Sequence, residues 1–200
     1  MQNNKNSFSE KITVLSVLSA ITALLAFLPL RTLGAEISLC PIILCVAAVL
    51  YGVTGGTVVG LVFGTVSFLQ CFGYSVFGAT ILEISPVAAF LTCVPTRILA
   101  GALVGLIFKL INKKFKTAAV GIASVLAPVL NTLFFTAVFT LSFWNSGYVQ
   151  GMAATLKTVN PFIFAVLFVG VNGIIEIAAG VIIALPVSKA ILKIQQKRGN

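Results

Sequence analysis

The sequence contains no histidine, a single tryptophan and only four acidic residues, and just 8% of its residues are charged. Without histidine there is no imidazole to ligate zinc, to act as a general base, or to complete a Ser–His or Cys–His dyad. A soluble globular domain carries about 25% charged residues. The 8% here cannot cover a water-facing surface, which excludes a soluble enzyme, a nucleic-acid binder and a disordered chain. Metal-type cysteine spacing is missing too. Cys40, Cys45, Cys71 and Cys93 lie in or beside apolar runs and none forms a CxxC pair. They read as small buried hydrophobes, with no disulfide framework, metal site or cofactor motif. No nucleotide-binding loop, low-complexity tract, soluble domain or strong internal repeat is visible. A cleavable leader is not expected either. The first apolar run, Ile12–Leu30, is about 19 residues, longer than the core of a signal peptide.

What the chain has in quantity is apolar sequence: 59% of its 200 residues, with a mean hydropathy of +1.13. A bilayer is crossed by about 20 apolar residues in a helix. Six segments qualify, at about 12–30, 38–51, 54–72, 81–111, 118–143 and 161–192. The second is short for a full span. The fourth is interrupted by Pro86 and Pro95, and the sixth by Pro186. Strands of a membrane barrel would alternate polar and apolar residues, whereas these segments are apolar on all sides. The expected fold is therefore an all-α integral membrane protein. It would be a single domain over residues 1–200, built as a compact bundle of six transmembrane helices.

Charge sets the expected orientation. With both termini cytoplasmic, Lys5 and Lys11 precede the first segment. Lys109, Lys113, Lys114 and Lys116 lie between the fourth and fifth, and Lys189, Lys193, Lys197 and Arg198 close the sixth. Ten of the thirteen basic residues then face the cytoplasm. Arg31 and Lys157 fall outside, and Arg97 lies within the membrane. The cytoplasmic turn at Tyr51–Gly56 is very tight. The outer connections are longer. The first contains Glu36, and the third, Trp144–Asn160, carries Trp144 and Tyr148, which read either as a binding loop or as an interfacial aromatic belt.

Four polar residues sit at similar depth inside the apolar segments: Arg97, Asn131, Asn172 and Glu176. Asn172 and Glu176 are four apart and share a helix face. An ionisable group at mid-bilayer costs at least ~2.5 kcal/mol and marks a functional site by default. Pro95 and Pro128 stand close before Arg97 and Asn131, where a freed carbonyl and a kink make room for a ligand. Two roles compete for the ionisable pair, with a proton-relay carboxylate a third option for Glu176. Arg97 and Glu176 bridge each other, or Arg97 receives a ligand carboxylate side-on while Glu176 accepts from ligand hydroxyl or amide groups. Glycines four apart, at Gly56, Gly60 and Gly64 and again at Gly101 and Gly105, make smooth stripes for close helix packing. Ser16, Ala20 and Ala23 offer a comparable face on the first segment.

The stretch YGVTGGTVVGLVFGTVSF at Tyr51–Phe68, the stretch CVPTRILAGALVGLIFKL at Cys93–Leu110, and the central Asn131-Thr132 form an ordered set. In this set, and in its size and basic C-terminus, the chain resembles the substrate-binding S-components of energy-coupling factor (ECF) vitamin transporters, over nearly its whole length. The resemblance implies a pocket near the outer face, built by helices four to six and capped by the first two outer loops. It implies release of cargo by toppling in the bilayer, driven by a transmembrane coupling subunit and two cytoplasmic ATPases. It implies that Ser16, Ala20 and Ala23 dock the coupling subunit. The expected cargo is a small monoanionic vitamin: pantothenate first, folate or cobalamin next. The site set is then Arg97, Asn131, Asn172, Glu176, Trp144, Tyr148 and Glu36, in the plasma membrane of a bacterium. The competing reading is a self-sufficient homo-oligomeric transporter or channel with the glycine stripes as subunit interfaces. An intramembrane enzyme would need a nucleophile and base that the chain does not supply.

Overall fold

Proline and small polar residues set most of the helix starts. Pro41, Pro86 and Pro161 stand in first turns, where a missing N–H is harmless and the fixed φ suits the helix. Ser75, Ser85, Ser146 and Asn160 each accept a backbone N–H of the turn that follows, at 3.1, 3.3, 3.3 and 2.8 Å, as N-caps do.

The computed structural model describes residues 2–198 except 29, 30, 33, 34 and 37. The side chains at 2–7, 31, 32, 35, 36, 116, 117, 171, 172 and 195–198 lie outside that description. The helices are α1 (Gln2–Ala26), α2 (Cys40–Gln70), α3 (Val76–Ile84), α4 (Pro86–Asn112), α5 (Lys116–Phe143), α6 (Gly147–Thr155), α7 (Pro161–Ala179) and α8 (Leu185–Arg198). A π-helical turn, Gly180–Ala184, joins α7 to α8. Between α1 and α2 the two-residue strands β1 (Arg31–Thr32) and β2 (Ala35–Glu36) pair antiparallel. Every other regular element among the described residues is helical.

Five stretches among the described residues are long and apolar enough to cross a bilayer: Phe8–Ala26, Cys40–Gln70, Pro86–Asn112, Ala118–Phe143 and Gly173–Ile194. The sequence reading separates 38–51 from 54–72, whereas the helical pattern runs across that boundary. The backbone does not. Gly52 has φ 63° and ψ −142°, a conformation open essentially only to glycine. In an uninterrupted helix, residues eight apart are separated by about 12 Å. Here a Cβ on Gly55 would collide with the carbonyl of Ala47. The chain therefore folds back on itself at Gly52, giving α2 a first arm (40–51) and a second arm (53–70).

The fourth segment differs from its expected form. Rather than one helix over 81–111, the chain breaks at Ser85, whose extended backbone (φ −160°) ends α3 while its hydroxyl caps α4. Pro86 thus starts a helix instead of interrupting one, and Pro95 lies inside α4. In the sixth segment the irregularity precedes Pro186. The Leu185 N–H reaches back to the Gly180 carbonyl, which widens the helix by one residue.

The glycine stripes are consumed inside the bundle. A Cβ on Gly56 would overlap the backbone of Gly101, and a Cβ on Gly101 would overlap that of Gly56. Gly64 faces the Val94 Cα at 2.8 Å from where its Cβ would stand, and Gly105 faces Gly52 at 2.5 Å. The second arm of α2 and α4 thus lie backbone to backbone. One apolar core gathers α1, both arms of α2, and the facing sides of α4, α5 and the α8 end. A second, built on Ile81, Phe139, Phe143, Val149 and Phe164, packs α3 and α6 against α5 and α7.

Candidate functional site

Tight packing along the glycine stripe fixes where Arg97 points. A Cβ on Gly60 would overlap the Arg97 carbonyl, so α4 presents Arg97 directly beside the second arm of α2. The guanidinium lies between two aromatic rings, with its carbon 5.2 Å from the Phe63 centroid and 4.7 Å from that of Phe135. Nη1 donates to the Thr92 carbonyl at 2.5 Å and to Thr96 Oγ1 at 3.3 Å. Nε is buried and has no hydrogen-bond partner among the described residues. Ring faces stabilise a desolvated cation but do not neutralise it.

Glu176 does not supply the missing anion. Its carboxylate accepts from the Ser38 N–H at 2.9 Å and from Thr132 Oγ1 at 3.0 Å. Among the described residues, no carboxylate pairs with Arg97. The expected alternative of a structural bridge between Arg97 and Glu176 is thus not formed; the Glu176 oxygens face Ser38 and Thr132 instead. The contacts instead tie α7 to α5 and to the start of α2.

Arg97, Asn131 and Glu176 line one cavity. Its volume of about 160 Å³ compares with the ~10–15 Å³ that one water requires, so it accommodates a small organic solute. The Oδ1 of Asn131 and the Oγ1 of Thr136, both buried on α5, also lack partners among the described residues. A buried polar atom left unpaired costs about 1–3 kcal/mol, and three of them border this space. Phe63, Phe77, Phe135 and Phe168 supply apolar wall. Phe77 stacks on Phe168 at 6.1 Å, and Phe135 on Phe139 at 6.0 Å with the rings nearly parallel.

The wall extends beyond the expected helices four to six. The end of α1 contributes Leu25, Ala26 and Leu28, and the second arm of α2 contributes Ser67 and Gln70. Gln70 Nε2 donates to the Ala26 carbonyl at 2.7 Å, and the Tyr74 hydroxyl to that of Phe27 at 2.7 Å. These bonds hold the α1 end against the turn after α2.

The other expected site residues fall elsewhere. Trp144 packs on Phe164 at 5.7 Å and Tyr148 on Phe77 at 6.4 Å. Both stand behind the aromatic wall rather than on the cavity. Burial pushes the Tyr148 phenol above its ordinary value, so it stays protonated. Glu36 belongs to β2 and Asn172 to α7, but both side chains lie outside the described residues. On α1, Ser16 and Ala20 are exposed and Ala23 is half-buried. Thr136, Ser38 and the two rings on Arg97 were not picked out by sequence reasoning, and Thr132 entered it only beside Asn131 in the family-like stretch. Thr132 adjoins Asn131, and Phe135 follows it by four residues, which places it on the same helix face. Ser38 carries no comparable signal, since it binds Glu176 through its backbone N–H.

The family described as ECF transporter, substrate-specific component, matches residues 10–188. The chain is also similar to the pantothenate transporter PanT of Leuconostoc mesenteroides subsp. mesenteroides. The two are 24% identical over 208 residues, covering 100% of this chain and 98% of the relative.

Proposed function

The chain belongs to the family of ECF transporter substrate-specific components and is a multi-pass membrane protein of the bacterial cell membrane, and from that premise we propose that it is the pantothenate-binding subunit of an ECF importer. The observation that carries the proposal is a set of buried groups on one cavity with no partner among the described residues: Arg97 Nε, Asn131 Oδ1 and Thr136 Oγ1. Pantothenate offers one carboxylate, two hydroxyls, an amide and a branched dimethyl group. The carboxylate neutralises Arg97, whose Nε edge forms the side-on fork suited to it. The hydroxyls and the amide satisfy Asn131 and Thr136. The dimethyl group packs on the phenylalanine wall. Among the described residues on the cavity, Arg97 is the single cation. That suits one carboxylate better than the two of folate, and cobalamin is far larger than this space. Similarity to a pantothenate transporter over the whole chain supports the same cargo.

The topology that fits this role has six crossings and both termini in the cytoplasm. The fold-back at Gly52 divides α2 into two antiparallel arms, and the basic residues collect at the ends assigned to the cytoplasm. The cavity, bordered by the α1 end and the α2–α3 turn, then opens toward the outside. Delivery would follow by toppling on a coupling subunit driven by two ATPases, with Ser16, Ala20 and Ala23 as the docking face. Glu176 and Asn131 shape the site, Trp144 and Tyr148 back its aromatic wall, and Asn172 and Glu36, whose side chains lie outside the described residues, are further candidates to close it.

Thermal unfolding of the purified protein against a vitamin panel tests the cargo. A ligand that binds only the folded state stabilises it by about 2.7 kcal/mol at 100-fold excess over Kd. Pantothenate is expected to raise Tm, and folate and cobalamin are not. A shift with another vitamin and none with pantothenate would overturn the choice of cargo.

A further inference from the structure

Two thiols on the cavity wall are not used by the ligand-binding reading. Cys71 stands at the C-terminal cap of α2, and Cys93 lies on α4 one helical turn before Arg97, so it shares the face of that arginine. Their Sγ atoms are 4.0 Å apart, and both residues are buried while lining the cavity. The other two cysteines differ. Cys40 and Cys45 belong to the apolar core around α1, α2 and α5 and do not line the cavity.

A disulfide requires its sulfurs to stand about 2.05 Å apart, so closure needs a combined movement of about 2 Å. Cys71 can provide it. It occupies the end of a helix, in a turn that continues through Gly73 at φ 114°, so its displacement breaks no helix interior. Cys93, within α4, stays in place.

We propose that Cys71 and Cys93 form a disulfide-bonding site in the ligand cavity, whose oxidation by a two-electron oxidant lowers ligand affinity. The inference rests on the reading of this cavity as the vitamin site. Two S–H bonds break and one S–S bond forms. The two protons and two electrons pass to the oxidant, so a diazene becomes the corresponding hydrazine. The new bond draws the turn after α2 toward α4 beside Arg97. That turn is flanked by Gln70 and carries Tyr74, which hold the Ala26 and Phe27 carbonyls. Its movement therefore displaces the α1 end and the α2 end of the wall together.

The test treats the purified, reduced full chain with diamide. Cross-linked peptides are then mapped by mass spectrometry, and pantothenate affinity is measured by calorimetry. The expected result is a Cys71–Cys93 cross-link, an affinity lower by about tenfold or more, and recovery with dithiothreitol. Saturation with pantothenate beforehand is expected to slow the cross-link. In Cys71→Ser and in Cys93→Ser, the ratio of oxidised to reduced affinity should return to one. Absence of that cross-link, or a cross-link with unchanged affinity, would overturn the inference and leave the cargo assignment standing. So would a serine variant that remains as oxidant-sensitive as the parent. If the reduced protein binds no pantothenate, the cargo assignment fails, and with it the effect on affinity. The mass map still scores the bond itself.

Discussion

At the residue scale the site is organised by one uncompensated cation. Arg97 has two aromatic faces and two oxygen acceptors for Nη1, but no carboxylate in ion-pair contact among the described residues. Leaving a buried charge without its partner costs about 3–5 kcal/mol, which is the scale of what a ligand carboxylate can recover here. Arg97→Ala is therefore expected to lower pantothenate affinity by about two to four decades, while the protein still inserts and purifies. Calorimetric titration measures this, and affinity kept within a few-fold would remove Arg97 from the ligand. Phe135 acts on the same cation through its ring. Phe135→Leu keeps an apolar wall but removes one face of the sandwich, for an expected loss of about 1 kcal/mol. A drop of that size in affinity, with pH and salt unchanged, is the readout. Arginine and glutamate at mid-segment were legible in the sequence as a functional pair. Their separation was not, because the donors that occupy Glu176 come from Ser38 and Thr132, far from it along the chain.

At the element scale the decisive contact is between the second arm of α2 and α4. Glycine on both sides lets the backbones touch, and the touching residues include the Arg97 carbonyl itself. The site therefore inherits its geometry from the stripe. Gly60→Leu would insert a side chain against backbone that cannot yield. Overpacking of this kind costs typically ~1–3 kcal/mol and occasionally more. The expected outcome is a lowered Tm together with weakened pantothenate binding, since Arg97 is displaced as the helices part. Normal binding with normal Tm would show that the approach is not needed. The same contacts weigh against a homo-oligomeric channel built on these stripes, because glycines that meet each other inside one chain are not available to a neighbour. The spacing of these glycines was plain in the sequence. Which helix each stripe would meet was not, because a stripe carries no label for its partner.

At the scale of the whole molecule, membrane insertion and ligand capture use different surfaces. The cavity is walled by α1, α2, α3, α4, α5 and α7, whereas Ser16 and Ala20 face away from the bundle. A change on that outer face is expected to affect delivery and spare capture. Ala20→Trp should bind pantothenate as the parent does, yet lose ATP-dependent uptake when expressed with a coupling module. Radiolabelled uptake alongside binding in micelles separates the two. Loss of binding itself would place Ala20 within the packing of the bundle.

The division between sequence and structure follows from the range of the forces involved. Composition alone settles that the chain lives in a bilayer, since 8% charge cannot solvate a surface and long apolar runs must be helical in lipid. Local chemistry settles where helices start, because prolines and capping oxygens act within one turn. The reversal at Gly52 was visible as a tight glycine turn. By contrast, the Ser85–Pro86 break read only as a proline interruption of one long segment, because hydropathy stays high on both sides and does not say whether the helix kinks or ends there. The cavity belongs wholly to tertiary structure. Its wall draws on residues from Leu25 to Glu176, and only packing decides which buried polar atoms find partners and which wait for a ligand.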